Sequence, residues 1–333
     1  MHMLSKLANF MSGHGTAILL ITSIFSGLTI GKLFSIPADI LSNSIDKTIF
    51  LLVFLLLFEV CFNSILASLK QLNFIITTLI LNFIIIPVLG FVIATIFFPN
   101  QPLFFIGLLI YFMMPCTDWF LGFTRLANGN TVLGAALIPI NMGLQLLLYP
   151  FYLSIFGVDL IQTESIGIIK ILLDWFVTPL ILAIGLRLIL QAISNKKPLN
   201  FSQTTVSIMI PIVLAFLVGQ IFADNVGTLI EYSSKIPLIL TAIIIFFITV
   251  FYLSKTVSKL MKFKYEDEVL ITMTTASRNA PIMLIITIAV IPDQPIIYAT
   301  IIIGMLIEFP HLIRLKMIFN KKYHSLKNKK EII

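Results

Sequence analysis

Long apolar stretches, separated only by short polar or Pro-, Gly- and Asn-containing breaks, run through almost the whole of this sequence. A helix needs about 20 apolar residues to cross about 30 Å of hydrocarbon. Ten stretches meet this requirement, and each is predicted to be one transmembrane helix. These spans cover residues 16–36, 47–69, 73–98, 103–125, 131–156, 166–191, 204–223, 236–257, 268–291 and 295–317.

The composition excludes several classes of soluble protein. Of the 333 residues, 59% are hydrophobic and 11% are charged, and the mean hydropathy is +1.06. Soluble globular domains carry about 25% charged residues, so this chain lacks the polar side chains needed to cover a water-facing surface. A soluble enzyme, a coiled coil, a disordered chain and a nucleic-acid-binding protein are poor fits. The sequence therefore predicts an all-α membrane protein with a lipid bilayer as its surroundings.

The distribution of basic residues predicts the orientation of the chain. With the N-terminus placed in the cytoplasm, seventeen Lys and Arg residues fall on the cytoplasmic side and four fall outside. This asymmetry satisfies the positive-inside rule, so the net charge of +7 needs no nucleic-acid partner to explain it. The remaining basic residue, Arg278, lies within a span. We expect a multi-pass protein of the cell membrane with both termini cytoplasmic.

The ten spans divide into two sets of five on either side of residues 157–165. Five spans per half place the halves in opposite orientations if their folds match, which is the inverted repeat of many secondary transporters. We therefore predict a first five-helix repeat over residues 1–156, a second over 166–318, and a basic cytoplasmic tail over 319–333.

Two prolines at matching places in the halves are predicted to interrupt spans 4 and 9. Pro115 precedes the polar run 116–118, and Pro281 follows the polar run 277–279. Proline in mid-helix removes a backbone hydrogen bond, and in lipid the freed groups must be satisfied by protein, water or a ligand. Both breaks lie about 15–20 Å into the membrane at about 1.5 Å per residue. We expect them to face each other and form a binding site; alternatively, each proline only kinks its helix.

Ionisable residues within spans are rare and usually face a partner or an aqueous cavity. Arg278 keeps its proton at any accessible pH, so it needs an anionic partner; Asp118 is the first candidate and Glu308 the second. This pair would tie two helices together, or Arg278 would attract an anionic substrate or take the place of a coupling cation. A membrane carboxylate such as Glu308 can take up and release a proton during a transport cycle.

Cys116 can be interpreted in two ways. As a small residue it allows close helix packing, which is the interpretation we favour for Cys61. As a thiol at a helix break it is a soft ligand suited to trivalent arsenic or antimony. The four histidines are scattered, and no Walker, HExxH or nucleophile-elbow pattern occurs. No enzyme activity, metal site or cofactor is therefore predicted, and transport would use an ion gradient or simple facilitation.

The run 115–119 (Pro-Cys-Thr-Asp-Trp), with the run 126–130 (Leu-Ala-Asn-Gly-Asn) after it, resembles the fourth span of the arsenite efflux permeases. These belong to the bile acid:sodium symporter superfamily. The run 278–281 and Glu308 resemble the matching elements of the second half. The resemblance implies a panel domain of spans 1, 2, 6 and 7. It also implies a core domain of spans 3–5 and 8–10, in which the broken spans 4 and 9 cross at the site.

In these permeases the cysteine of the Pro-Cys motif and the glutamate of the last span are tied to activity, and they correspond here to Cys116 and Glu308. The resemblance thus implies proton-coupled efflux of arsenite or antimonite. We predict a substrate site formed by Cys116, Asp118, Arg278 and Asn279, with ion coupling through Glu308 and Asp118.

Two residues depart from the pattern of the better-known arsenite permeases. Arg278 stands where an uncharged polar residue is expected, and Asp118 adds an acid beside the cysteine. A guanidinium at the crossing would repel Na⁺, which argues against a standard two-sodium site. The alternative function is a sodium- or proton-coupled symporter of organic anions, with Arg278 as the carboxylate anchor. A channel or a structural membrane protein is a third class.

Overall fold

The computed structural model of this chain describes residues 15–34, 38–59, 71–117, 119–156, 177–190 and 200–331. Among these residues the secondary structure is helical, and the one β-type pairing is an isolated bridge between Pro115 and Arg278. The helices are α1 (Thr16–Leu33), α2 (Ala38–Glu59), α3 (Leu72–Ile80), α4 (Ile86–Phe97), α5 (Pro102–Met113), α6 (Phe120–Leu126), α7 (Thr131–Ile155), α8 (Val177–Leu190), α9 (Asn200–Asp224), α10 (Val226–Glu231), α11 (Ile236–Leu260), α12 (Tyr265–Ala276), α13 (Ala280–Val290) and α14 (Pro295–Glu331).

Several of these helices have the length and composition of membrane spans. In the described part of the chain, four helical stretches are long and apolar enough to cross a bilayer: Leu72–Phe97, Thr131–Ile155, Ser233–Leu260 and Pro295–Lys327. Shorter apolar helices cover Ile18–Leu33, Pro102–Met113, Val177–Leu190, Ile208–Asp224 and Ala280–Val290. The predicted all-helical membrane class is therefore confirmed for the described residues, while the count of ten spans and the inverted repeat stay predictions.

Helix boundaries differ from the sequence prediction mainly at α2 and α14. Helix α2 begins at Ala38, nine residues before the predicted span 47–69, and residues 60–70 lie outside the described part of the chain. Helix α14 continues to Glu331, well past the predicted end at 317. Its C-terminal part contains neither Gly nor Pro after Pro310, and Lys and Leu are good helix formers, so nothing local ends the helix where the apolar stretch ends.

Span 4 is interrupted at residues 114–119, between α5 and α6, and Pro115 lies inside this interruption. Span 9 is interrupted at residues 277–279, between α12 and α13. Pro281 is not within the interruption, contrary to expectation, because it is the second residue of α13. A first-turn proline is tolerated since its missing N–H has no partner within the helix. Asn279 sets the start of α13 instead: its Oδ1 accepts a hydrogen bond from the Ile282 N–H at 3.4 Å, as an N-cap does.

A wide helical turn connects α3 and α4. Residues Leu81–Ile85 form a π-helical segment just before Pro87. Proline cannot donate a backbone hydrogen bond and clashes with the preceding turn, and a π-bulge accommodates such a disruption. The segment directs Asn82 towards the end of α12, where the Asn82 Nδ2 donates to the Thr274 Oγ1 at 3.3 Å.

The chain divides into two compact units. The first unit comprises Met1–Val60, Leu153–Ser234 and Leu284–Ile302, and the second comprises Cys61–Tyr152, Lys235–Met283 and Ile303–Ile333. Within the first unit, α1 packs against α9 through small residues. Gly27 faces the backbone of Gly219, and Gly31 faces the backbone of Ala223, so that neither position has room for a Cβ. The two backbones touch because the side chains between them are small.

Helix α5 is central to the second unit. Residues 106–113 are all buried, and Phe112 stacks on Phe246 of α11 with ring centroids 4.0 Å apart. Gly90 of α4 permits this packing, because a Cβ at that position would lie 2.6 Å from the Phe112 Cβ. The interruption that follows α5 therefore begins inside the protein.

Candidate functional site at the two interruptions

The two interruptions lie side by side within the second unit. The Cys116 N–H donates to the Ser277 carbonyl at 3.0 Å, and the Asn279 N–H donates to the Met114 carbonyl at 3.1 Å. These two bonds flank the isolated antiparallel bridge. In lipid, the backbone groups released by a broken helix must find partners inside the protein. Each interruption supplies partners for the other.

Arg278 is fully buried, and its guanidinium contacts backbone carbonyls. Nη1 donates to the Phe112 carbonyl at 3.1 Å, and Nη2 donates to the carbonyls of Thr274, at 3.3 Å, and Thr275. The Phe246 ring centroid is 5.9 Å from the guanidinium carbon. The three carbonyls belong to the last turns of α5 and α12, where carbonyl groups have no partner within the helix.

Arg278 is not paired with a carboxylate among the described residues. Asp118, the first predicted partner, lies outside them. Glu308, the second, is within electrostatic range of Arg278 but forms no ion pair with it. In the described part of the chain, the ion pair present joins Lys322 to Glu268. The guanidinium does not need Glu308 because helix C-termini carry negative partial charge, and two such ends converge on it.

Glu308 is fully buried in α14 and lies between two ring-bearing donors. The Trp119 Nε1–H donates to Oε1 at 2.8 Å. The Tyr111 hydroxyl lies 3.0 Å from Oε2 and 2.8 Å from the Gly304 carbonyl oxygen. A hydroxyl has only one proton to donate, so it cannot serve both acceptors fully. A proton on Glu308 would supply the missing donor, with the carboxyl donating to Tyr111 and Tyr111 donating to Gly304.

The structure brings most of the predicted site residues together. Cys116, Arg278 and Glu308 are all buried. Cys116 and Arg278 belong to the two interruptions, and Glu308 accepts a hydrogen bond from Trp119 at the end of the first. Asn279 belongs to the same pair of interruptions. Asp118 lies outside the described residues.

Buried amides extend the site along α7. The Asn279 Nδ2 donates to the Thr117 Oγ1 and to the Gln145 Oε1, both at 3.0 Å. The Gln145 Nε2 and both polar side-chain atoms of Asn141, one turn away on α7, are buried and have no hydrogen-bond partner among the described residues. Unused hydrogen-bonding groups are costly in an apolar interior. The region next to the interruptions therefore holds spare capacity to bind a polar molecule.

Sequence reasoning missed several of these contacts. Asn141 and Gln145 are four residues apart in an otherwise apolar span, and that spacing was a usable signal because polar residues within membrane helices mark functional sites. Trp119 belongs to the run 115–119, but no contact or function was predicted for it. Tyr111 had no local signal, because nothing in the sequence near it indicates a contact with α14.

The run 126–130 has a structural role at the start of α7. Asn130 caps this helix, since its Oδ1 accepts from the Leu133 N–H at 3.1 Å, and its Nδ2 donates to the Asp267 Oδ1 at 2.8 Å. An open cavity of about 540 Å³ lies beside it and is also lined by Lys264 and Glu266. Among the described residues, no group of three or more His, Cys, Asp or Glu side chains could hold a metal ion.

Comparisons with known proteins identify the family of this chain. One similar protein is the "Arsenical-resistance protein Acr3" of Corynebacterium glutamicum, which is 24% identical over 251 residues, or 72% of this chain and 67% of that protein. Residues 48–263 match the family described as the Sodium Bile acid symporter family. The match includes the first interruption and extends over more than half of the chain. This membrane protein therefore belongs to the sodium bile acid symporter family, a family of transporters.

Proposed function

We propose that this protein is a secondary active transporter that exports arsenite- or antimonite-type metalloids in exchange for protons. The observation that carries the proposal is that a thiol and a protonatable carboxyl are both buried at the first interruption. Cys116 lies within it, and Glu308 accepts a hydrogen bond from Trp119 at its end. The similarity to an arsenical-resistance protein supports the metalloid as substrate. This site combines a ligand for a soft cargo with a group that can carry a proton.

Cys116 would bind the cargo directly. Thiolate sulfur is a soft ligand and prefers soft, thiophilic elements. The hydroxyl groups of arsenous acid need hydrogen-bond partners once they leave water, and the spare amide groups of Gln145 and Asn141 are of the right chemical type. Asn279 would hold Gln145 in place, and Asp118 with Arg278 would balance charge around the cargo.

Glu308 would carry the proton. Its protonated form satisfies Tyr111 and Gly304 at once, and the distances of the Tyr111 hydroxyl to both acceptors support this assignment. Loss of the proton leaves the Tyr111 hydroxyl between two acceptors and places a negative charge in the apolar interior, which is unfavourable. Protonation would therefore change the relative stability of two conformations, which is how a coupling ion drives a carrier.

The proposed architecture is a panel of spans 1, 2, 6 and 7 and a core of spans 3–5 and 8–10, in an inverted repeat in the cell membrane with both termini cytoplasmic. The residue ranges of the two units support this division. The first unit contains spans 1, 6 and 7 and most of span 2, and the second contains spans 3, 4 and 8 and most of span 5. Spans 9 and 10 are divided, because the first unit takes in residues 284–302, the end of span 9 and the start of span 10.

An ion-coupled symporter of organic anions is the second candidate function, and the description of the family favours it. In that case Arg278 would anchor the carboxylate of the substrate. Both Nη groups already donate to backbone carbonyls, and the Nε has no hydrogen-bond partner in the part of the chain that the structure describes. A bidentate carboxylate contact would require these bonds to break, so this function is the weaker candidate.

Transport in everted membrane vesicles tests the proposal. Arsenite, antimonite and a bile-acid-like anion are offered separately, with pH and sodium gradients imposed one at a time. We expect arsenite to accumulate when the vesicle interior is acidic, with no need for sodium. Cys116→Ser should abolish this accumulation, and the matched variant Cys61→Ser should retain it.

Sodium-driven uptake of the organic anion, unchanged in Cys116→Ser, would contradict the metalloid proposal and support the second candidate. Arsenite flux that depends on neither the pH gradient nor the sodium gradient would instead indicate a channel.

A further inference from the structure

The surroundings of Arg278 resemble a cation-binding site more than an ordinary ion pair. Its partners are three backbone carbonyls, one from the last turn of α5 and two from the last turn of α12. An aromatic ring lies against the guanidinium. Carbonyl oxygens at helix C-termini carry partial negative charge, and the ends of broken helices in transporters use such oxygens to coordinate coupling cations.

The convergence of two helix ends creates an electrostatic problem that a cation solves. Two negative helix termini at the same place in a low-dielectric interior repel each other, and the repulsion is strong because solvent does not screen it. A guanidinium is planar, offers several donors and cannot lose its proton. It can therefore bridge both helix ends at once and neutralise them throughout a transport cycle.

We infer that the Arg278 guanidinium is the resident cation of this crossing, and that it fills the position a coupling metal cation would need. The protein then requires no Na⁺ at the two interruptions, although its family is described as one of sodium symporters. A metal cation brought to the same carbonyls would meet the repulsion of a fixed positive charge. This inference concerns the ends of α5 and α12 and is independent of which substrate is transported.

Thermal unfolding of the purified full-length protein tests the inference without any substrate. The wild-type Tm is measured in NaCl, KCl and choline chloride at equal ionic strength, and we expect the three values to coincide. Arg278→Ala should lower the Tm by at least about 5 °C, because it leaves several buried carbonyls without a donor. Millimolar guanidinium should restore at least half of that loss by entering the vacated position.

Arg187 offers a matched control. Its Nη2 donates to the Phe58 carbonyl at 2.6 Å, and its guanidinium carbon lies 5.6 Å from the Phe58 ring centroid. Arg187 therefore contacts a backbone carbonyl and an aromatic ring, as Arg278 does. It differs in being partly exposed, and this carbonyl and this ring belong to a single residue, so they do not bring two helix ends together. We expect no recovery of Arg187→Ala by guanidinium.

Arg278→Lys covers the case in which Arg278→Ala does not fold. Lysine keeps the charge but lacks the planar fork, so its Tm should lie below that of the wild type and remain insensitive to Na⁺. A wild-type Tm that rises in Na⁺ relative to K⁺ would overturn the inference. The inference would also be overturned if guanidinium raised the Tm of Arg278→Ala no more than that of Arg187→Ala. A Tm of Arg278→Lys that rises in Na⁺ would overturn it as well.

Discussion

The contact between α1 and α9 and the contact between the two interruptions bring backbone against backbone in different ways. In the first unit, Gly27 and Gly31 let two helices touch without any change in their backbone hydrogen bonding. In the second unit, the helices stop, and the interruptions exchange backbone hydrogen bonds through Cys116 and Asn279. The first contact needs small side chains, whereas the second needs particular polar groups.

This difference follows from the cost of unpaired backbone groups in an apolar interior. A continuous helix satisfies its own backbone, so close packing there is limited only by side-chain size. A broken helix leaves donors and acceptors that must be satisfied by its neighbours, and the same groups can serve a ligand or a charged side chain. We therefore expect added side-chain bulk in the α1–α9 contact to affect stability. Added bulk beside the polar groups near the interruptions leaves the hydrogen bonds of Arg278 in place, and we expect it to affect transport more than stability.

Gly27→Leu should produce the largest loss of stability. The new side chain would collide with the backbone of Gly219, which cannot rotate away as a side chain could. We expect a loss of about 3 kcal/mol in the free energy of unfolding, measured by denaturation of the purified protein. Gly185→Leu is the control, because no described residue lies within 4 Å of a Cβ added there. Equal losses of stability in the two variants would show that side-chain size does not limit the packing of α1 against α9.

Gly304→Ala tests the polar site of the second unit, where it changes the packing around Tyr111. The added Cβ would lie 2.6 Å from the Tyr111 Cε1, so the ring must move and the Tyr111–Glu308 contact must weaken. We expect a loss of stability of about 1 kcal/mol but a fall of about tenfold in proton-driven transport, which corresponds to about 1.4 kcal/mol in the barrier.

Gly143→Ala on α7 is the control for Gly304→Ala, since an added Cβ has no neighbour within 4 Å among the residues that the structure describes. It should transport normally and gain slightly in stability, because alanine is the better helix former. Equal transport by the two variants would argue against a role for the position of Tyr111.

Lys322→Ala should have the smallest effect, although it removes the ion pair with Glu268. The Lys322 side chain is 43% exposed, and exposed pairs contribute little because solvent competes with them. We expect a change of at most about 0.5 kcal/mol in the free energy of unfolding, which disappears at high salt. Denaturation of Lys322→Ala and of the neighbouring Lys321→Ala at low and high salt provides the measurement. A large, salt-independent loss of stability would show that this exposed ion pair contributes as much as a buried contact.

Prediction from sequence succeeded where one segment carries its own signal. The polar run after Pro115 indicated an interruption, and the interruption is there. Pro281 was a weaker guide, because a proline in the first turn of a helix stabilises the start of that helix instead of breaking it. The true boundary depended on the capping side chain of Asn279.

Contacts between distant segments had no local signal. The partners of Arg278 include the carbonyl of Phe112, which is 166 residues away, while its pairing with Asp118 stays a prediction. A backbone carbonyl has no sequence signature, because every residue has one. For the same reason, the placement of Glu308 against Tyr111 could not be inferred from either residue alone.

Apolar stretches of sufficient length and the positions of the polar runs already determined that this chain forms membrane helices and where one of them stops. These properties are local, because hydropathy and backbone hydrogen bonding act within a single segment. Only the tertiary structure decided that two helix ends share one guanidinium and that Glu308 lies between Trp119 and Tyr111. A buried polar group takes whatever partner the packing of distant segments brings to it, and that packing depends on the whole fold.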